Sequence, residues 1–444
     1  MKRNSSIARL VGLAFAGLCA GACTLSVPLD APRTVTRYDD RPINQADKAA
    51  IEAATGRQSG ETSFIELIDG NDGLGARLRL IESAQHSIDL QYFLIKPDLA
   101  GGLLAFALEE AADRGVRVRF LIDDVFTTAT DDQVALLDGH PNIEVRLFNP
   151  LSRDAGLATN FLFDFSRVNR RMHNKSITTD RVASIIGGRN IADEYYDIEV
   201  THAFADYDIF LAGEVVEEIG EAFDLFWNDQ FAVPVSALTR ERNPEEFVSI
   251  RDDISARRGQ AARSTYNKAV NSRYLADIRN GKIKVSNATA DIVTDSPEKL
   301  KVPVRGGPRV LANELMRRIM AAENEVIVIS PYFVPEDWGR KRFIELAERG
   351  VRVRIITNSL ASTNHPYVHA GYYRHRKALL KAGVELYEVR VDAPEHLAVS
   401  AGSVEPRLTM HTKSVQIDED QLFIGSMNFD PRSIKINTEM GVFI

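Results

Sequence analysis

Cysteine is almost missing from this sequence: of 444 residues, only Cys19 and Cys23 are cysteines. Both stand near the start, so no disulfide framework can hold the body of the chain. Long apolar runs are missing as well. The one clear candidate, VGLAFAGLCAGA at 11–22, is too short to span a bilayer comfortably as a permanent helix. There is no surplus of positive charge, since 54 Lys and Arg stand against 62 Asp and Glu for a net charge of −8. Tight phosphate-backbone binding draws on a basic face, so a protein that coats nucleic acid is disfavoured, while a local basic pocket remains compatible.

What is present at the start is a targeting layout. Lys2, Arg3 and Arg9 precede the apolar run, and Ala20-Gly21-Ala22 comes directly before Cys23. This predicts a signal peptide over 1–22 with Cys23 as a lipidation site; an ordinary Ala-x-Ala cut at the same bond is the other reading. Either way the chain is expected to be exported to the cell envelope. With the lipid it would be anchored to a membrane facing the periplasm.

The body of the sequence repeats itself. GVRVRFLIDD at 115–124 returns as GVRVRIITNS at 350–359, and SIDLQYFL at 87–94 has a counterpart in EVIVISPYFV at 325–334. Each copy alternates strand and helix patterns. In the first copy a strand over 88–94 leads into a helix that carries Leu104, Ala107, Leu108 and Ala111 on one face and ends at Gly115. That order predicts an α/β fold with two similar domains, each a mostly parallel β-sheet flanked by helices. The expected organisation is a signal peptide (1–22), an N-terminal tether (23–60), domain one (61–235), a polar connector (236–305) and domain two (306–444). After its motif, copy one runs into the helix EVVEEIGEAFDLFWND, whereas copy two reaches NTEMGVFI where that helix should begin. Domain two therefore reads as incomplete at its C-terminus: either the sequence is a truncated form, or it lacks the covering helix and leaves the sheet face near Val442 exposed.

The chemistry lies in a doubled motif, MHNKSITTD at 172–180 and MHTKSVQID at 410–418. Residues i and i+2 of a strand share a face, so His173 projects with Lys175 and His411 with Lys413. Asn190 and Asn428 follow the two histidines at the same offset, beside Gly187-Gly188 and Gly425-Ser426. Asp180 and Asp418 fall in predicted turns and read as structural. Histidine can serve as nucleophile or general acid near neutral pH. Lysine supplies a point charge for phosphate oxygens, asparagine a neutral donor, and the small residues room for a substrate near the backbone. A protonated lysine has no lone pair for a metal, so no metal or cofactor is expected. Two imidazoles and two ammoniums around one phosphate suit a two-step phosphoryl transfer through a phosphohistidine.

His-x-Lys-x4-Asp followed by a Gly/Ser-rich turn and Asn resembles the signature of the phospholipase D superfamily, over nearly all of residues 60–444. The resemblance implies two domains about a pseudo-twofold axis, with both motifs meeting in one cleft. HPNIEVRLFNP, DFSRVNRRMHNK, GGRNIADEYY and FIGSMNFDPRSIKINTEMG are most similar to bacterial cardiolipin synthases of the C-type branch. Such a likeness implies transesterification, with phosphatidylglycerol as acceptor and phosphatidylethanolamine or a second phosphatidylglycerol as donor. It further implies His173 as nucleophile, His411 as acid and base, and Asp206 and Glu439 as the acids that orient the histidine of the opposite copy. Arg167, Arg170 and Arg171 read either as head-group ligands or as a solvated basic run, and His369 either lines the cleft or packs on a helix face. Rival functions on the same fold are a phospholipid hydrolase and a periplasmic nuclease. A non-catalytic lipoprotein would predict decay of one motif, and neither has decayed.

Overall fold

The computed structural model describes residues 25–198, 202–239, 259–283, 285–391 and 407–444. The signal peptide, Cys23, His396 and residues 240–258 and 284 of the connector lie outside the described residues. The strands of the first half are β1 (Thr62–Leu67), β2 (Ser87–Tyr92), β3 (Arg117–Asp123), β4 (Ile143–Phe148), β5 (Ser176–Thr179), β6 (Ala183–Gly187), β7 (His202–Ala205), β8 (Asp208–Gly213) and β9 (Ala232–Pro234). Those that follow are β10 (Ser286–Ala288), β11 (Asp291–Thr294), β12 (Glu325–Ile329), β13 (Arg352–Asn358), β14 (Glu385–Val389), β15 (Arg407–Met410), β16 (Ser414–Ile417), β17 (Gln421–Gly425) and β18 (Met440–Phe443).

Two large sheets result, ordered β10-β1-β8-β6-β5-β2-β3-β4-β9 and β11-β18-β17-β16-β12-β13-β14. The α/β class and the two similar halves expected from the repeat are both present. In each half the parallel strands form one block, β2-β3-β4 and β12-β13-β14, and the motif hairpin joins that block antiparallel. Parallel strands need crossover helices, and sequence supplies them. The Leu99–Asp113 helix starts where Asp98 accepts from Gly101 N at 3.1 Å, and the chain turns beyond it at Gly115, φ 92°.

Asp180 and Asp418 are structural in the same way in both halves. Each sits in a tight turn at positive φ, 53° and 51°. The Asp180 carboxylate accepts from the backbone N–H groups of Gln85, His86 and Ser87 at 2.7–2.9 Å. Asp418 accepts from Glu323, Asn324 and Glu325 at 2.7–3.0 Å. A carboxylate holding three donors pins the entry of the central strand to the motif hairpin.

One expectation needs correction. The sheet face near Val442 is not exposed. Ile424, Met440 and Val442 are buried against Ile186, Ile209 and Leu211 and against Val215, Val216 and Ile219 of the Val215–Trp227 helix. One helix of the first half therefore covers both sheets, because the two halves meet face to face beneath it. The described part of the N-terminal segment is packed. Tyr38 is buried on that same helix, where a Cβ on Gly220 would meet its ring at 2.3 Å, and Arg33 donates to Asp229 O at 2.7 Å. The connector also contributes to the fold. β10 and β11 join one sheet each, and the Gln260–Val270 helix lies so close to the Gly70–Ser83 helix that a Cβ on Gly75 would meet Ala269 O at 2.2 Å. Among the described residues no helix is long and apolar enough to cross a membrane.

A buried residue of the shared helix should report on both halves. Ile219→Ala is expected to cost about 2–5 kcal/mol, the usual range for an isoleucine truncated in a core. Urea unfolding followed by fluorescence and circular dichroism should still show one coincident transition; two separated transitions would mean that the halves fold independently.

Candidate active site

Backbone pairing between the halves builds the site. β7 and β15 form a two-stranded parallel sheet that ends with Ala205 opposite Met410, and a single parallel bridge joins Met172 to Thr438. His411 N donates to Ala205 O at 2.7 Å, and His173 N to Thr438 O at 3.0 Å. The residues that follow are Asp206 and Glu439. Each motif histidine is thus set beside a carboxylate of the other half.

The side chains complete that placement. The Nδ1 atom of His173 lies 2.8 Å from Glu439 Oε2, and that of His411 lies 2.5 Å from Asp206 Oδ2. Lys175 Nζ donates to His173 O at 2.6 Å. Lys413 Nζ donates to His411 O and also lies 2.7 Å from His411 Nδ1. One Nδ1 cannot donate to a carboxylate while accepting from an ammonium. The shorter Asp206 contact defines the tautomer, and Lys413 keeps its charge 4.0 Å from Asp206.

Burial sets the electrostatics. Both histidines are under one-tenth exposed and both lysines are buried. Phe93 meets the His173 ring at 4.6 Å, while Phe204 and Tyr195 meet that of His411 at 5.1 and 5.4 Å. Desolvation, with Lys175 and Lys413 adding repulsion, pushes His173 well below the usual imidazole value. Desolvation and then Lys413 bring His411 down to about 3, against the pull of Asp206. Burial lowers Lys175 to about 7 and Lys413 to about 8. The two acids diverge: burial raises Glu439 to about 7, whereas at Asp206 the charges of Lys413 and His411 outweigh burial and hold it at about 2.

The small residues have a different purpose from the one expected of them. What approaches Gly187 and Gly188 is the chain itself, since added Cβ atoms would meet Asp208 Oδ1 at 2.0 Å and Asp206 Oδ1 at 2.1 Å. At Gly425 the close neighbour is Met440 O, at 2.4 Å. Ser426, the counterpart of Gly188, donates to Glu439 Oε2 at 2.5 Å. Asn190 Nδ2 donates to Tyr195 Oη at 2.9 Å, and Asn428 Nδ2 lies 3.5 Å from Ser433 Oγ. Among the described residues, Oδ1 of each asparagine is buried without a partner.

The arginine run is neither a head-group cluster nor solvated. Arg171 is buried in an ion pair with Asp123 at 2.9 Å, Arg167 pairs with Asp164 at 2.6 Å, and Arg170 donates to Leu300 O at 3.0 Å. His369 packs its ring edge on Tyr372 at 5.5 Å, the helix-face alternative. Phe93, Tyr195, Phe204 and Tyr332 are wall residues that the motifs do not include. Phe93 and Tyr332 follow the repeated strands β2 and β12, which was the available signal; Tyr195 and Phe204 carry none. A cavity of about 1270 Å³ lies elsewhere in the first half, lined by Ile95, Leu103, Phe106, Val134 and Tyr266 and by none of the motif histidines or lysines.

Two α/β halves sharing one centre of paired His-x-Lys motifs define an enzyme of the phospholipase D class. The family described as cardiolipin synthase, PLD-like domain matches residues 78–227 and 315–444, and the chain belongs to it. It is 37% identical over 408 residues to cardiolipin synthase C of Escherichia coli K12, covering 89% of this chain and 84% of that one. A cardiolipin synthase of Oceanobacillus iheyensis is 24% identical over 377 residues, spanning 85% of this chain and 64% of the relative. The crystal structure of phosphatidylserine synthase from Haemophilus influenzae Rd KW20 shares the fold, with a TM-score of 0.56 at 15% identity, over 86% of this chain and 81% of that one.

The Gly188–Asp206 and Ser426–Glu439 pairs are not interchangeable. In Gly188→Ser the new side chain occupies the place of Asp206 Oδ1, so the low-field N–H proton resonance of the His411–Asp206 pair should vanish while that of His173–Glu439 persists. Retention of both resonances would show that the cleft tolerates the side chain.

Proposed function

We propose that this enzyme is a phosphatidyl transferase that makes cardiolipin. The single observation that carries the reading is the pairing of two buried imidazoles, each held through Nδ1 by a carboxylate of the opposite half. That contact leaves each Nε2 for chemistry. The likeness to cardiolipin synthase C supports cardiolipin as the product; the acceptor proposed is phosphatidylglycerol, and the donor phosphatidylethanolamine or a second phosphatidylglycerol.

His173 Nε2 attacks the donor phosphorus, forming a P–N bond as the P–O bond to the leaving alcohol breaks, and His411 gives that alcohol its proton. In the second step His411 takes the proton of a phosphatidylglycerol hydroxyl, whose oxygen attacks phosphorus and releases His173. The phosphodiester energy is retained throughout. Lys175 and Lys413 supply charge for the non-bridging oxygens. In the free enzyme their ammoniums help hold both histidines neutral. A bound phosphodiester anion offsets those charges, which raises the proton affinity of His411 at the moment an acid is required. Neutral His173 is ready to attack. Asp206 stays ionised and stabilises imidazolium at His411, the role of the acid partner in a hydrolytic triad. Export of the chain and anchoring through Cys23 belong to the same proposal, since an anchor raises the local concentration of lipid substrates.

The first assay is mass identification of products from labelled phosphatidylglycerol, with and without phosphatidylethanolamine. Cardiolipin is expected from the parent, with a loss of about 10³-fold or more in His173→Ala and in His411→Ala. Phosphatidic acid alone would make the enzyme a hydrolase. Rapid quenching of a donor labelled at phosphorus should trap label on the peptide that contains His173, through a P–N bond that is stable to alkali and cleaved by acid. A pH series supplies a second check. As pH rises through about 7 and 8, Lys175 and Lys413 lose charge, so kcat/KM should fall on the alkaline side. A kcat/KM that stays flat to pH 9 would remove the lysines from phosphate binding.

A further inference from the structure

The helix Leu157–Phe163 is amphipathic the wrong way round for a soluble surface. Its buried side chain is the polar Asn160, whose Oδ1 accepts from Ser152 N at 2.9 Å and whose Nδ2 donates to Ser152 O and Ala155 O at 3.1 Å. Phe161 is half-buried and meets Phe165 at 6.4 Å, but the other bulky apolar side chains point to solvent: Leu157 is 56% exposed, Leu162 75% and Phe163 72%, with Phe165 of the next turn at 57%. A helix that packs inward through an amide and outward through leucine and phenylalanine is unpartnered on its apolar side.

Its place in the fold says what that side faces. The helix follows β4, and ligands of open α/β sheets gather at the carboxyl ends of parallel strands. Other exposed apolar residues stand on segments that follow the same strand ends: Phe126 after β3, Trp338 after β12, and Leu360 and Tyr367 after β13. Together these make up half of the large exposed apolar side chains among the described residues. Two files of rings connect this rim to the histidines. Phe126 meets Phe93 at 5.0 Å and Phe93 meets His173 at 4.6 Å. Tyr367 meets His365 at 5.3 Å, His365 meets Tyr332 at 5.4 Å, and Tyr332 meets His411 at 6.3 Å.

We propose that this rim, centred on Leu157–Phe165 and shared by both halves, seats the folded domain on the surface of a phospholipid bilayer, with Leu162, Phe163 and Phe165 entering the interface. The inference rests on the phospholipid reading above and adds a contact separate from any N-terminal anchor. Phenylalanine, leucine and tryptophan are the side chains that settle at the boundary between head groups and acyl chains. A rim spread over both halves, and joined by ring contacts to both imidazoles, suits a flat lipid surface that must deliver two lipids to one cleft. A second copy of the chain is the competing occupant.

The test reads insertion directly. In the full-length Phe163→Trp protein, added indole fluorescence should be quenched by phosphatidylglycerol vesicles brominated near the head group, beyond the change given by the parent tryptophans. A Leu162→Ser/Phe163→Ser/Phe165→Ser protein, checked by circular dichroism, should lose roughly tenfold or more of its turnover on vesicles. Its turnover of a short-chain phosphatidylglycerol dissolved as monomer should stay within about twofold of the parent, because the substituted side chains are exposed. Absence of that added quenching in the Phe163→Trp protein, or equal losses on both substrates in the triple variant, overturns the proposal. So does a parent dimer that the triple substitution converts to monomer. If the parent turns over neither lipid, the reading of the reaction has failed while the quenching still decides this one.

Discussion

Two short stretches of backbone pairing between the halves, Ala205 with Met410 and Met172 with Thr438, decide where every group in the cleft stands. Side chains alternate along extended backbone, so fixing one pair fixes the face and register of the residue that follows. The residues that follow are the histidines and their acids. Neither half holds a complete centre. Each imidazole is oriented by a carboxylate that reaches it only because the two sheets are docked beneath the Val215–Trp227 helix.

Six ionisable groups then share a space from which water is largely excluded. Buried charges are expensive unless paired, and pairing recovers only part of the cost. The outcome is visible in the proton affinities. The imidazoles and ammoniums shift down and Glu439 shifts up, while only Asp206, beside Lys413 and His411, is held at about 2. Lys175 and Glu439 are both brought to about 7 and Lys413 to about 8, so two partly charged lysines face one ionised acid and one half-ionised acid, and the charges nearly balance. An entering phosphodiester anion favours the charged lysines and the protonated acid, so the centre answers a ligand by taking up protons.

Much of this was legible in the chain. The repeat, the β2-β3-β4 and β12-β13-β14 blocks, the motif hairpins and the Asp180 and Asp418 turns all follow from local pattern, where strand period and turn chemistry act over a few residues. Asp206 and Glu439 were reachable only through family likeness, because nothing local marks an acid that acts on a histidine in the other half. The burial of Val442 is hidden for the same reason: its cover is a helix of copy one, remote in sequence from the strand it covers. The arginines of DFSRVNRR read equally as a ligand cluster or a solvated run because charge density is local, whereas the Asp123 that binds Arg171 lies on β3. Glycines beside the motifs were read as room for substrate; they are room for Asp206, Asp208 and Met440 O.

The unlike neighbours of the two acids carry a consequence for descent. Gly188 leaves space that Asp206 fills, and Ser426 offers a hydroxyl that Glu439 takes. Each acid arises in the half opposite its histidine, and each is fitted to a neighbour within its own half. After a duplication, such copies stop being spare parts for one another. Neither can be lost, exchanged for its twin or grafted from a distant cousin without taking its own neighbour along. The two halves have become one unit of inheritance, related by ancestry and no longer by substitution.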